Sequence, residues 1–131
     1  MVTPSNYSVL VVDDDSLMRE MLKAILRSEE YHVVGEASNG EDALAQCARL
    51  KPKLVLLDIQ MPKMDGLQVL EAIRQAQPEI KIIMVSAEAT MDKVTEAIKK
   101  GAVGFVVKPF NAARVLDKVL ECVNGKAEHG R

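Results

Sequence analysis

Four apolar runs in this chain each end in a residue able to do chemistry. Val9-Leu10-Val11-Val12 runs into Asp13-Asp14-Asp15, and Leu54-Val55-Leu56-Leu57 runs into Asp58. Two later runs end in Ser86 and Lys108. An ionised carboxylate at the tip of a buried strand is costly unless its charge is used there. Asp13, Asp14 and Asp58, gathered on one rim, would repel one another, and a hard divalent cation relieves that repulsion. Mg²⁺ suits the set, since it takes a few carboxylates together with waters and phosphate oxygens. The Lys108 ammonium and the Ser86 hydroxyl suit the non-bridging oxygens of a phosphoryl group. In-line phosphoryl transfer needs chiefly positioning and charge neutralisation. Asp58, set apart from the N-terminal acidic run, is then the natural nucleophile.

Each residue alone has a plainer reading. Asp13-Asp14-Asp15 and Ser86 serve equally as helix caps, and Asp65-Gly66 as a turn opening a helix. Lys108-Pro109 reads as a strand-to-turn junction. It is their combination at successive strand ends that points to a site.

Around these residues, short apolar runs alternate with amphipathic stretches five times. Strands are expected near 8–12, 32–37, 53–57, 80–85 and 104–107. The second is the most polar and reads as an edge strand, with His32 at the surface. The third is apolar on both faces and so belongs in the centre of a covered sheet. The first helix repeats Leu17, Met18, Met21, Leu22, Ile25 and Leu26, which predicts one wide buried face, with Asp15 or Ser16 as its cap. Helix two follows Asn39-Gly40, carries Ala43, Leu44, Cys47 and Ala48, and ends before Pro52. Helix three turns Leu67, Leu70 and Ile73 inward and stops before Pro78. Helix four carries Met91, Val94 and Ile98, and Gly101 suits its left-handed end. Helix five repeats Val115, Leu116, Val119, Leu120 and Val123. The result is an α/β fold, (βα)₅, a doubly wound five-stranded parallel sheet with helices on both faces. Ligands of such sheets bind at the carboxyl ends of the strands, where all the candidate residues lie.

The bulk numbers narrow the class. A chain of 131 residues fits one domain, here 1–125, followed by a polar tail at 126–131. Its net charge of −2, without a basic cluster, argues against direct nucleic-acid binding. No apolar stretch approaches a bilayer's thickness and no secretory signal is read, so a cytoplasmic location without membrane insertion is expected. Cys47 and Cys122 fall on the apolar stripes of separate helices and are expected to be buried thiols. His32 and His129 have no metal-ligand spacing.

Val11-Val12-Asp13-Asp14, the run from Asp58 to Gly66, Val85-Ser86-Ala87 and Val107-Lys108-Pro109-Phe110 together resemble the receiver domain of two-component response regulators, over roughly 8–123. The resemblance implies the flavodoxin-like strand order 2-1-3-4-5, for which a chemotaxis receiver is a standard example. It implies that Asp58 accepts a phosphoryl group from a phosphohistidine of a sensor histidine kinase. Asp14, Asp58 and the backbone carbonyl of Gln60 would hold Mg²⁺, with Asp13 acting through water. Lys108 would contact a phosphoryl oxygen, with the Lys108-Pro109 bond cis. Ser86 would swing toward modified Asp58 and Phe105 would rotate into the space it leaves, altering the face of helix four, strand five and helix five. Ala87 leaves room for the phosphoryl group, while Gln60 and Glu88 stand where the family tunes phosphate lifetime. Two positions depart from the flagellar chemotaxis pattern: Ile59 stands where Trp is usual, and Phe105 where Tyr is.

The chain is therefore expected to be a non-enzymatic, stand-alone receiver that controls a downstream effector, as a monomer or a phosphorylation-dependent dimer. An alternative use of the same site is a phosphorelay intermediate handing phosphate to a histidine phosphotransfer protein. A rival from the enzyme class is a haloacid-dehalogenase-type phosphatase with Asp13 as nucleophile, though no later acidic pair or cap segment supports it. A flavodoxin-like FMN carrier would need a Ser/Thr/Gly-rich phosphate loop and a stacking Trp, and both are missing.

Overall fold

The computed structural model describes residues 4–125; the expected tail at 126–131 lies outside them. After a short 3₁₀ turn come β1 (Ser8–Val12), α1 (Ser16–Ser28), β2 (His32–Ala37), α2 (Gly40–Leu50) and β3 (Leu54–Leu57). They are followed by α3 (Gly66–Ala76), β4 (Lys81–Ser86), α4 (Met91–Lys99), β5 (Gly104–Val107) and α5 (Ala112–Val123). All strand pairs are parallel and the order is β2-β1-β3-β4-β5, as expected. β3 and β4 each begin one residue later than the apolar runs suggest, and β4 takes in Ser86.

Strand residues alternate between two cores because successive side chains leave opposite faces of a sheet. Leu10, Val12, Val55, Leu57, Ile82 and Met84 meet residues of α2, α3 and α4, among them Cys47, Leu70, Ile73 and Ala97. Val9, Val11, Leu54, Leu56, Ile83 and Val85 meet Leu22 and Leu26 of α1 and Val115, Val119 and Cys122 of α5. Each of these large side chains contributes about 1.5–3 kcal/mol on burial. Both cysteines are buried, and burial pushes the Cys47 thiol up to about 11.

Side chains hold the helix ends. Asp15 caps α1, Asn39 caps α2, and Asp65 forms a capping box with Gln68 on α3. Gly101 closes the segment after α4 with a φ of 107°, a conformation open to glycine at little cost.

Two helices depart from their expected faces. On α1, Leu22 and Leu26 are buried, but Leu17 is 68% and Met21 43% exposed. The inward stripe is narrower than the apolar pattern: Leu22 and Leu26 are buried, Met18 and Ile25 pack partly against the same core, and Leu17 and Met21 fall outside it. On α4, Met91 is 83% and Ile98 49% exposed, whereas Ala97 is fully buried. The small side chain at 97 faces the core, and this rotates its bulkier neighbours toward solvent.

Candidate functional site

Each candidate residue sits at the end of its strand, tied in by the sheet's own hydrogen bonding. The Asp13 N–H donates to the Ala37 carbonyl (3.1 Å), Asp58 N–H to Val12 (3.0 Å) and Lys108 N–H to Ser86 (3.0 Å). The parallel ladder therefore runs on past the strands and sets the roots of these side chains. Asp13, Asp58 and Ser86 are buried, and Asp14 is exposed at the rim.

The Lys108 Nζ lies 2.8 Å from Asp13 Oδ2 and 3.3 Å from Asp58 Oδ2. The remaining oxygens are also held: Asp15 N–H donates to Asp13 Oδ1 (2.9 Å) and Gln60 N–H to Asp58 Oδ1 (3.3 Å). Burial by itself favours a neutral Lys108, but the hydrogen bond to Asp13 and the charges of Asp58 and Asp13 outweigh it and raise its pKa. Lys108 is thus a fixed ammonium between two carboxylates. The Lys108-Pro109 bond that follows is cis.

Asp13, Asp14 and Asp58 each offer an oxygen, all within 4.8 Å of one another. Three carboxylates against one ammonium leave a formal excess of two negative charges. All-oxygen donors with that excess fit a hard divalent cation such as Mg²⁺.

The loop after β3 is drawn tightly under Asp58. Gly66 N–H donates to the Ile59 carbonyl (2.8 Å), and a Cβ added at Gly66 would lie 2.0 Å from the Asp58 carbonyl oxygen. Ile59, buried at 1% exposure, anchors the loop in the α2–α3 core. Asp65-Gly66 therefore does more than turn the chain, since only glycine lets α3 begin this close to the site.

Ser86 is fully buried, and its Oγ accepts a hydrogen bond from Glu88 N–H (3.1 Å). Phe105 is also buried, at 8% exposure, in the cluster that includes Met84, Val94 and Ala97. The ring thus already has an inward place. Two partners of the site leave no signal in the sequence. Arg19 Nη1 donates to the Asp13 carbonyl (2.7 Å), and Lys93 pairs with Glu88 at 3.6 Å. Both lie on helix positions that read as solvated charge, and neither partner is a sequence neighbour close enough to suggest the contact.

A parallel 2-1-3-4-5 sheet with acids, hydroxyl and lysine on its carboxyl rim defines a class as well as a fold. Residues 9–120 match the model of the response regulator receiver domain, and the chain belongs to that family of two-component signalling modules. It is 48% identical over 109 residues to chemotaxis protein CheY of Listeria monocytogenes, covering 83% of this chain and 92% of that one. Identity to chemotaxis protein CheY of Bacillus subtilis is 42% over 118 residues, covering 90% and 98%. Among solved structures, the CheX–CheY–BeF₃–Mg²⁺ complex from Borrelia burgdorferi matches with a TM-score of 0.87 and 34% identity, over 89% of each chain. Among the described residues, no helix is long and apolar enough to cross a membrane.

Proposed function

We propose that Asp58 takes a phosphoryl group from the phosphohistidine of a sensor histidine kinase and that the modified domain controls a partner protein. The observation that carries this is the double tether on Asp58. One oxygen lies 3.3 Å from the Lys108 ammonium and the other accepts the Gln60 N–H, beside two further carboxylates. An Asp58 oxygen forms the new P–O bond as the P–N bond breaks. The electron pair returns to the imidazole nitrogen, which then takes a proton from solvent.

Asp14, Asp58 and the Gln60 carbonyl would hold Mg²⁺ directly, with Asp13 through water. When bound, Mg²⁺ supplies neutralisation of the phosphoryl oxygens. Once Asp58 is phosphorylated its own carboxylate charge is lost to the acyl phosphate, so Lys108 keeps Asp13 and turns to a phosphoryl oxygen. The Ser86 hydroxyl leaves Glu88 N–H for another. That movement draws the β4–α4 loop inward over Phe105, whose ring lies buried among Met84, Val94 and Ala97 and would be held inward in the modified state. The readable surface is the α4–β5–α5 face, where Met91, Ile98, Val107 and Leu120 are exposed. The phosphoryl group acts by making better contacts in one of two states, which shifts their populations. The kinase's phosphohistidine is a product of ATP chemistry, and we place the domain in the cytoplasm on that ground.

The test is incubation with acetyl phosphate and Mg²⁺, followed by mass mapping of the modified residue. Asp58 is expected to carry the label, and Asp58→Asn to abolish it. A label on Asp13 would overturn the reading in favour of a phosphatase-type nucleophile.

A further inference from the structure

The geometry points to Arg19 as a positioning residue for cation capture: tethered by Glu36, it clamps the Asp13–Asp14 peptide so that the Asp14 carboxylate stays beside Asp13 and Asp58. This rests on the functional reading above and extends it to a residue outside the acidic cluster.

Arg19 lies one turn into α1, just beyond the Asp15 cap, and its own N–H closes that turn on the Asp15 carbonyl (3.0 Å). Helical side chains lean toward the N-terminus, so Arg19 reaches back over the turn to the acidic loop. Its Nη1 donates to the Asp13 carbonyl at 2.7 Å, while Nε donates to Glu36 Oε1 at 2.8 Å. The peptide unit is planar, so gripping the Asp13 carbonyl also sets the Asp14 N–H and the direction in which Asp14 leaves the chain. Asp13 has other restraints: its N–H is held by Ala37 and its carboxylate by Lys108 and Asp15 N–H. Asp14 is the exposed member of the three and depends most on its backbone.

The tether is itself built. Glu36, on edge strand β2, takes Arg19 Nε on one oxygen and Lys23 Nζ on the other at 2.5 Å. Lys23 also pairs with Glu20 at 2.6 Å and is buried despite its charge. Glu36 thereby neutralises a guanidinium that would otherwise be free to pair with Asp14 and compete with the incoming cation. The guanidinium presents its Nε and Nη1 donors in one rigid plane, a fixed geometry that the single rotating ammonium of a lysine does not reproduce.

The full chain is titrated with Mn²⁺ by electron paramagnetic resonance and with Mg²⁺ by calorimetry, without phosphodonor. Partners that orient metal ligands are worth about 10-fold or more in metal affinity. Arg19→Met and Arg19→Lys are each expected to raise the Kd about tenfold. At saturating Mg²⁺, labelling of Asp58 by acetyl phosphate should return close to the wild-type rate. Glu36→Gln, which leaves the arginine in place but loosens it, should weaken binding in the same direction and decides the case if Arg19→Met fails to fold. Unchanged Kd in Arg19→Lys and Glu36→Gln, with Asp58 still labelled, overturns the role of Arg19 alone. Cation binding that is sensitive to Arg19 but gives no labelled Asp58 overturns the phosphoacceptor reading and leaves this one standing. A wild-type chain that binds no Mn²⁺ overturns both.

Discussion

Lys108 serves two carboxylates, and the third, Asp14, has no such cation among its described contacts. This asymmetry sets what substitution of single residues should do. Asp14 lies within 4.8 Å of the oxygens of Asp13 and Asp58, so without metal it adds repulsion and no compensating bond. Asp14→Asn is expected to raise the thermal midpoint in EDTA, by the equivalent of about 1 kcal/mol. The same change should abolish the rise in midpoint that Mg²⁺ gives the wild type, since binding stabilises only a protein that binds. Thermal melts with EDTA and with Mg²⁺ check both signs, and a fall in EDTA would show that repulsion is not the dominant effect. Asp13, Asp58 and Lys108 were legible as candidate residues because each follows an apolar run. Arg19 was not, because a cation on the polar side of an amphipathic helix has many unremarkable explanations.

At the scale of elements, α1 is joined to β2 by a network of Arg19, Lys23, Glu20 and Glu36. The hydrogen bond from Lys23, then that from Arg19, hold Glu36 below its ordinary value of 4.5. A carboxylate with a depressed folded pKa contributes stability above its unfolded value and loses it as pH falls through the folded one. The difference in thermal midpoint between wild type and Glu36→Gln should therefore be full at neutral pH and shrink as pH drops below about 4.5. A difference that is constant down to pH 3, roughly a unit below an ordinary carboxylate, would show that Glu36 acts through packing alone. The element boundaries were readable from runs, caps and prolines to within a residue on β3 and β4. The inward faces of α1 and α4 were not. Apolar spacing names the stripes a helix could bury, but the neighbours decide which stripe is covered. Ala97 won over Met91 and Ile98 because the helix meets the sheet there.

At the scale of the molecule, the site and the proposed output face are joined by the ends of β4 and β5. Ser86 at the end of β4 and Phe105 on β5 are both buried, and Glu88 beyond Ser86 pairs with Lys93 on α4. Phosphorylation at Asp58 is therefore expected to change hydrogen exchange across α4, β5 and the start of α5, while α2 and the centre of the sheet stay as they were. Exchange mass spectrometry with Mg²⁺ and a beryllofluoride mimic measures this, and a response confined to the loop after β3 would disprove the coupling. By itself the sequence determined the alternation of elements, the central place of β3 and the residue types at the strand ends. Those follow from local rules, since periodicity, caps and runs are read from near neighbours. Only the tertiary structure decided that residues 95 positions apart, Lys108 and Asp13, share a hydrogen bond, that Arg19 grips the acidic loop and that Phe105 lies inward. Each depends on the order and packing of the sheet, and a long-range contact leaves no period in the chain that encodes it.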